Sequence, residues 1–199
     1  MCNDLIERLL SLDLLPIGPP AATGMFQPVK SDAIEYLETK YAAKLPDDYA
    51  QFAVEIGVSM FRSFVYASVL DKSIHEISGG RSWVQAELFL GSSPEGVENG
   101  SYDIVTTYEN YGYRVPPGML PFAESGNDLI LIGMTQGLSG NERGRIYFWD
   151  SVEEVPDADD EDDPPQFEDY YDNVYLVANS FREFVESLKC FGEKYPDPD

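Results

Sequence analysis

The chain has 199 residues, which suits one domain with extensions. With 43% hydrophobic and 13% aromatic residues, it is too apolar to be a disordered protein. Its formal net charge of −23 excludes direct binding to DNA or RNA, disfavours an anionic membrane surface, and favours a basic protein as the partner.

Two helices are predicted in the first 45 residues. Leucine and isoleucine at helical spacing predict the first helix over 3–15. A proline-rich stretch then predicts a loop over 16–30, because proline lacks the backbone N–H that regular structure uses. Ser31 is a suitable cap for the second helix, which is predicted to run to about Ala43.

The third predicted helix, over 46–56, has the clearest boundaries. Pro46 suits the first helical position, where a missing N–H costs nothing, and a glycine at position 57 suits the end. Tyr49, Phe52 and Ile56 recur at helical spacing, so we expect them to form one buried face.

The middle of the chain is rich in β-branched and aromatic residues and is punctuated by glycine, which predicts short strands. The connections are too short for intervening helices, so we expect antiparallel pairing. The predicted strands are 64–70, 83–90, 102–108, 129–134 and 145–149, with a sixth at 173–178. Ser180 and Glu183 form a capping box that predicts a final helix.

A run of twelve acidic residues without any Lys or Arg covers 150–172. Like charges repel, so this run predicts a solvated loop, and its charge predicts contact with a basic partner. Two tyrosines at its end suit either an interface anchor or the lining of a sheet edge, and we expect Trp149 to pack in the core. The predicted partner-binding residues are Asp157, Asp159, Asp160, Glu161, Asp162, Asp163, Tyr170 and Tyr171.

No catalytic, metal or cofactor site is predicted. His75 is the only histidine and has no neighbouring nucleophile pattern. The glycines near position 140 lack the lysine of a phosphate-binding loop. Counting from Asp157, four acids imitate the calcium ligands of an EF-hand, but Asp162 stands where that loop requires glycine.

Three segments, at 34–57, 119–150 and 174–188, resemble the SUKH superfamily. The first matches its pattern of a helix, Leu-Pro, a polar pair, Tyr, Phe and a closing Gly. The second resembles its Leu-Pro-Phe, Gly-Asn, apolar strand and Tyr-Phe-Trp-Asp stretch, and the third its closing strand, Ser-Phe and helix. The family often has Asn-Gly-Gly after the second helix, where this chain has Ile-Gly-Val.

The resemblance implies an α+β fold, with an antiparallel sheet of about six strands between N-terminal helices and a C-terminal helix. It also implies a binding role, because the superfamily includes fungal regulators of cell-wall assembly and glucan synthesis and bacterial proteins that neutralise toxins, often nucleases. It transfers no catalytic residue. The matched residues are structural: Pro46, Tyr49, Phe52, Pro121, Phe122, Trp149, Ser180 and Phe181.

The domain organisation expected from these observations is an extension over 1–30, one domain over 31–190 and a tail over 191–199. No long apolar stretch or signal peptide is recognised, and the two cysteines suit reduced thiols, so we expect a cytoplasmic protein. The leading hypothesis is a bacterial immunity protein that binds a basic toxin. A non-enzymatic scaffold for a signalling or wall-synthesis protein is the alternative, and a hydrolase ranks third.

Overall fold

The computed structural model of the protein describes residues 3–17, 26–70, 82–92, 102–137, 140–153 and 166–190. The α-helices in these ranges are α1 (Asn3–Ser11), α2 (Ser31–Tyr41), α3 (Asp47–Glu55), α4 (Ile104–Tyr111) and α5 (Phe181–Ser187). The strands are β1 (Leu14–Pro16), β2 (Ser59–Ser68), β3 (Trp83–Phe89), β4 (Met119–Ser125), β5 (Asp128–Gly133), β6 (Ile146–Trp149), β7 (Val174–Ala178) and β8 (Lys189–Cys190). Two short 3-10 helices cover Ser151–Glu153 and Asp169–Tyr171.

The strands form one antiparallel sheet in the order β1-β2-β3-β4-β5-β6-β7, and β8 also pairs with β2. The predicted α+β class is therefore confirmed, although the described part of the chain contains two more strands than the six expected. The backbone N–H of Leu70, just after β2, donates to the carbonyl of Leu176 on β7 at 2.9 Å. The chain leaving β2 thus meets the strand at the far end of the sheet.

One face of the sheet packs against α3 and α5 through an aromatic core. Phe52 is 2% exposed, and its ring centroid lies 4.8 Å from that of Phe89 and 5.2 Å from that of Phe181. Tyr49 packs edge-on against Phe122 and Phe181, at 5.3 and 5.4 Å. The face predicted for the third helix is therefore buried as expected.

The other face of the sheet carries a second, smaller core. Successive side chains of a strand point to opposite faces, so Ile130 joins the first core, whereas Leu129 and Leu131 join the second. Trp149 is fully buried there, as predicted. The chain after α4 covers this cluster with Val115, and the second core therefore depends on that connection.

The prediction of a strand over 102–108 is wrong, because α4 occupies this part of the chain. The Asp103 carboxylate caps the helix by accepting hydrogen bonds from the backbone N–H groups of Val105 (3.1 Å) and Thr106 (2.9 Å). Ile104 and Thr107 then fall on one buried face. The cap and the buried face outweigh the strand preference of the β-branched residues.

The first two helices also differ from their predictions. The predicted helix over 3–15 ends at Ser11, because Asp13 adopts a left-handed conformation (φ 66°) and Leu14–Pro16 pairs with β2 as a strand. Ser31 is the first residue of α2 rather than its cap; Lys30 precedes it and makes no side-chain capping bond. Pro46 likewise precedes the first turn of α3.

The solvated loop predicted over 150–172 does not begin at Asp150, which is 5% exposed. The backbone N–H of Asp150 donates to the carbonyl of Asn173 at 3.0 Å, and its carboxylate accepts from the N–H of Val152 at 3.0 Å. This residue therefore belongs to the sheet edge. Most of the acidic run, 154–165, lies outside the described residues, as does most of the predicted 16–30 loop.

Candidate interaction surface

One cleft is lined by ten residues, four of which are tyrosines, and has a volume of about 470 Å³. Its rings come from four parts of the chain: Tyr41 ends α2, Tyr108 lies on α4, Tyr113 follows α4, and Tyr170 lies on the second 3-10 helix. Lys40 also lines the cleft, and the remaining lining residues are Gly112, Val115, Pro117, Gly118 and Met119.

Tyr41 fixes the inner wall of this tyrosine cleft. Its hydroxyl donates to the backbone carbonyl of Met119 at 2.5 Å, and its ring centroid lies 5.4 Å from that of Tyr108. Burial raises the pKa of Tyr41, so this side chain is a neutral phenol at physiological pH. Tyr113, in contrast, is 54% exposed and stands at the rim. The cleft thus has a fixed wall and an accessible edge.

Cations already lie over aromatic rings beside the cleft. The Arg114 guanidinium is 5.3 Å from the ring centroid of Tyr111 and 5.6 Å from that of Trp149. The Lys40 ammonium lies 5.2 Å from the ring centroid of Tyr36. Side chains of Lys and Arg in this part of the protein therefore already make cation–π contacts with three rings outside the cleft lining.

The hydroxyl of Tyr36 donates to the carboxylate of Glu109 at 2.8 Å. This hydrogen bond raises the pKa of Tyr36, because ionising the phenol would break it and place two negative charges together. Tyr36 therefore stays neutral and joins α2 to α4 across the surface.

The two predicted interface tyrosines are separated by the structure. Tyr170 faces the cleft, whereas Tyr171 is half-buried against the second core and its ring lies 5.7 Å from that of Phe167. Phe167 is 41% exposed. Tyr171 thus packs against the second core, whereas Tyr170 lines the cleft and its role as an interface anchor stays a prediction.

The six other predicted partner-binding acids, Asp157, Asp159, Asp160, Glu161, Asp162 and Asp163, lie outside the described residues. The described residues on either side of their segment make hydrogen bonds. Before it, the N–H and hydroxyl of Ser151 donate to the Asp128 carboxylate at 2.9 and 2.7 Å. After it, the N–H of Gln166 donates to the Asp169 carboxylate at 2.6 Å. Gln166 lies four residues before Tyr170 in the sequence.

The residues matched to the family pattern are structural in their placement. Ser180 accepts a hydrogen bond at 3.0 Å from the N–H of Glu183 and caps α5, as its sequence predicts. The other matched residues are buried: Pro46, Tyr49, Phe52, Pro121, Phe122, Trp149 and Phe181.

Among the described side chains, no group of three or more His, Cys, Asp or Glu residues could hold a metal ion. His75 lies outside the described ranges, and Cys190 is an exposed thiol. In the same ranges, no helix is long and apolar enough to cross a membrane.

Tyr41, Tyr108 and Tyr113 were not among the predicted site residues. Ile104, Thr107 and Tyr108 recur at helical spacing, which indicates a helix here. The prediction of a strand over the same residues left this spacing unused. Tyr41 lies at the end of a helix that was predicted, but its neighbours in the cleft are distant in sequence. The cleft is therefore a product of the tertiary fold.

Comparison with known proteins gives two matches. The model of the SMI1/KNR4 family (SUKH-1) matches residues 28–187. The chain is also 24% identical over 170 residues to the SPbeta prophage-derived uncharacterized protein YokK of Bacillus subtilis (strain 168), an alignment that covers 79% of this chain and 73% of that protein.

Proposed function

Because the chain belongs to the SMI1/KNR4 family (SUKH-1), we propose that it is a bacterial immunity protein, which binds a basic toxin and neutralises it without catalysis. The family includes toxin-immunity proteins, and a relative from a Bacillus prophage supports a bacterial setting. The toxin would be recognised by its positive charge, and a nuclease, which needs a basic surface for nucleic acid, fits that description.

The observation that carries this proposal is that the tyrosine cleft contains Tyr170, a residue of the acidic run over 150–172. Residues 154–165 contain seven acids and no base, and Tyr170 follows them by five residues in the sequence. Aromatic anchors within a charged rim are the usual composition of a protein interface. The acids would speed the encounter, and the tyrosines would hold the bound partner.

The chain's own basic side chains leave most of this negative charge uncompensated, because 13 Lys and Arg residues face 36 Asp and Glu residues. Most of the described basic side chains are also engaged within the molecule. Arg182 bonds Asp4 at 2.8 Å, and Lys44 pairs with Glu38. Arg143 donates to the carbonyl of Met134 at 2.8 Å. Other intramolecular contacts involve Arg8, Arg62, Arg114, Arg145 and Lys40. A basic partner would therefore meet a surface whose excess carboxylates have few competing cations.

A binding role also agrees with the chemistry available. The chain has a single histidine, and the matched family residues serve packing and capping rather than proton transfer. The proposed mechanism is competitive: the acidic surface occupies the site where the toxin binds its own negatively charged substrate. Neutralisation would then require a stoichiometric complex and no turnover.

The decisive experiment uses the product of the reading frame next to this gene as the candidate toxin. That product is expressed in a bacterial host with and without this protein, and growth is measured together with binding of the two purified proteins. Protection with a one-to-one complex supports the proposal. Toxicity that persists despite full expression of this protein contradicts it. A harmless neighbour that binds it, with a role in signalling or wall synthesis, would instead establish the scaffold alternative.

A further inference from the structure

We propose that the tyrosine cleft receives an arginine side chain of the basic partner, an inference that rests on the proposed binding function and names the chemistry of its anchor. Tyr41, Tyr108, Tyr113 and Tyr170 are four of the ten residues that line this cleft of about 470 Å³. That volume lies within the range of roughly 300–1,000 Å³ typical of ligand pockets. Aromatic rings carry negative charge on their faces, and a cleft walled by several of them attracts a cation.

The cleft is organised before any ligand enters. The hydrogen bond from Tyr41 to Met119 and the contact between the Tyr41 and Tyr108 rings hold the inner wall. A cation would therefore bind without the entropy cost of ordering these two side chains. Tyr113, which is 54% exposed, leaves its side chain accessible to a group that enters the cleft. This arrangement resembles the aromatic cages that recognise organic cations.

The net charge of the protein favours a cation over an anion. Lys40 is the one basic residue among those lining the cleft, and its ammonium lies 5.2 Å from the centroid of the Tyr36 ring, which is not one of the lining residues. Glu168, Asp169 and Asp172 flank Tyr170 along the chain. Because the protein has a net charge of −23, it would repel an anionic group from this site and attract a guanidinium.

Arginine fits the cleft better than lysine. Its guanidinium is flat, is weakly hydrated and stacks on aromatic faces, whereas the lysine ammonium keeps a strong hydration shell. Arg114 makes the same kind of contact with Tyr111 and Trp149 on the neighbouring surface. Arginine is also enriched among the residues that dominate binding energy at interfaces.

The test is a titration of the purified protein with N-acetyl-arginine methylamide, followed by NMR of the tyrosine ring protons. N-acetyl-citrulline methylamide, which has nearly the same shape and no charge, is the matched control. We expect saturable shifts of the four cleft tyrosines with the arginine probe and none with citrulline. Tyr113→Ala and Tyr170→Ala should each weaken binding about threefold to thirtyfold, the range of a lost cation–π contact. Equal shifts with both probes, or no saturable shift at the cleft, would overturn the proposal.

Two further variants separate the cleft from its surroundings. Tyr66→Ala removes an aromatic ring on β2, which packs near Trp83 rather than in the cleft, and should leave arginine binding unchanged. Lys40→Met removes the positive charge beside the cleft and should tighten binding, whereas Lys44→Met, which removes a charge paired with Glu38, should not. Weaker arginine binding in Lys40→Met would count against a cation site.

The outcome is distinguishable from a failure of the proposed function. If the arginine probe does not bind but the protein still protects cells from the neighbouring toxin, the immunity role stands and the cleft is not its anchor. If the probe binds but no protection is seen, the cleft is a cation site and the toxin assignment is wrong.

Discussion

The carboxylate of Asp48 on α3 accepts a hydrogen bond at 2.9 Å from the backbone N–H of Arg182 on α5. The first N–H groups of a helix have no partner within the helix, so Asp48 acts as a second cap beside Ser180. It thereby joins the start of one helix to the start of another, 134 residues away in sequence.

We predict that Asp48→Ala destabilises the protein by about 1–3 kcal/mol, because a charge-assisted hydrogen bond and its helix-terminal interaction are both lost. Chemical denaturation monitored by circular dichroism measures the change. Asp47→Ala removes the exposed neighbouring acid and is the control. Equal losses in the two variants would mean that the bond to Arg182 adds nothing beyond the charge at the start of α3.

Phe52→Ala should cost about 3–5 kcal/mol, since its ring is buried between Phe89 and Phe181 and the truncation leaves a cavity. Val54→Ala, on the exposed side of the same helix, should change stability by less than about 0.5 kcal/mol. The midpoints of urea unfolding test both values. A small effect at Phe52 would contradict the packing of α3 against the sheet.

Tyr49→Phe should leave stability unchanged or raise it by about 1 kcal/mol. The Tyr49 hydroxyl is buried and has no hydrogen-bond partner among the described residues, so its removal relieves a desolvation cost. Burial also raises the pKa of Tyr49, which agrees with an apolar environment. A clear loss of stability on thermal unfolding would show that the hydroxyl does have a partner.

The burial of Glu124 predicts that the stability of the fold depends on pH. Partial burial, and then the nearby Glu87 carboxylate, raise the pKa of Glu124 above its ordinary value of 4.5. As pH rises, the unfolded chain therefore releases this proton first, and the native state loses stability until the raised pKa is passed. Glu124→Gln should abolish that part of the loss of stability. The free energy of unfolding of the variant relative to the wild type should therefore increase above pH 4.5 and then level off. Glu7→Gln, which removes an exposed charge on α1, is the control, and an identical profile for it would refute this role for Glu124.

Neutralising the acidic segment should slow association with the proposed toxin more than it speeds dissociation, because charges at a rim act mainly on the encounter. The variant changes Asp157, Asp159, Asp160, Glu161, Asp162 and Asp163 to Asn or Gln. Stopped-flow rates across a salt series should fall and become less salt-dependent. Two triple variants, each of which removes three negative charges, separate the effect of position from the effect of total charge. One changes Asp160, Glu161 and Asp162, and the other changes Glu7, Asp47 and Glu55. Equal rates for these triples would leave the segment without a specific role.

Sequence reasoning succeeded where the information is local. The start of α5 follows from Ser180 and Glu183, which lie three residues apart, and the buried face of α3 follows from the spacing of Tyr49 and Phe52. It failed for α4, because the β-branched residues after Asp103 favour strands and only the cap and the tertiary packing decide for a helix.

Only part of the candidate site could be predicted from the sequence, because tertiary packing brings its residues together. Tyr170 was identified from its place beside the acids, but Tyr41 and Tyr108 are brought to it by the fold. Asp150 is an error of the opposite kind, because the sequence predicted a solvated residue where the fold buries one. By composition it belongs to the acidic run, yet its bonds with Asn173 place it in the sheet edge, where charge patterning gives no information.

The hydrogen bonds at the two ends of the acidic segment have a consequence for how this protein can evolve. Ser151 is held by Asp128 and Gln166 by Asp169, and none of the four residues lies within 154–165. Charge changes within 154–165 therefore leave the residues of these two contacts unchanged. Under the proposed function, a lineage facing a new toxin could alter the charge pattern of this segment while Asp128, Ser151, Gln166 and Asp169 stay the same.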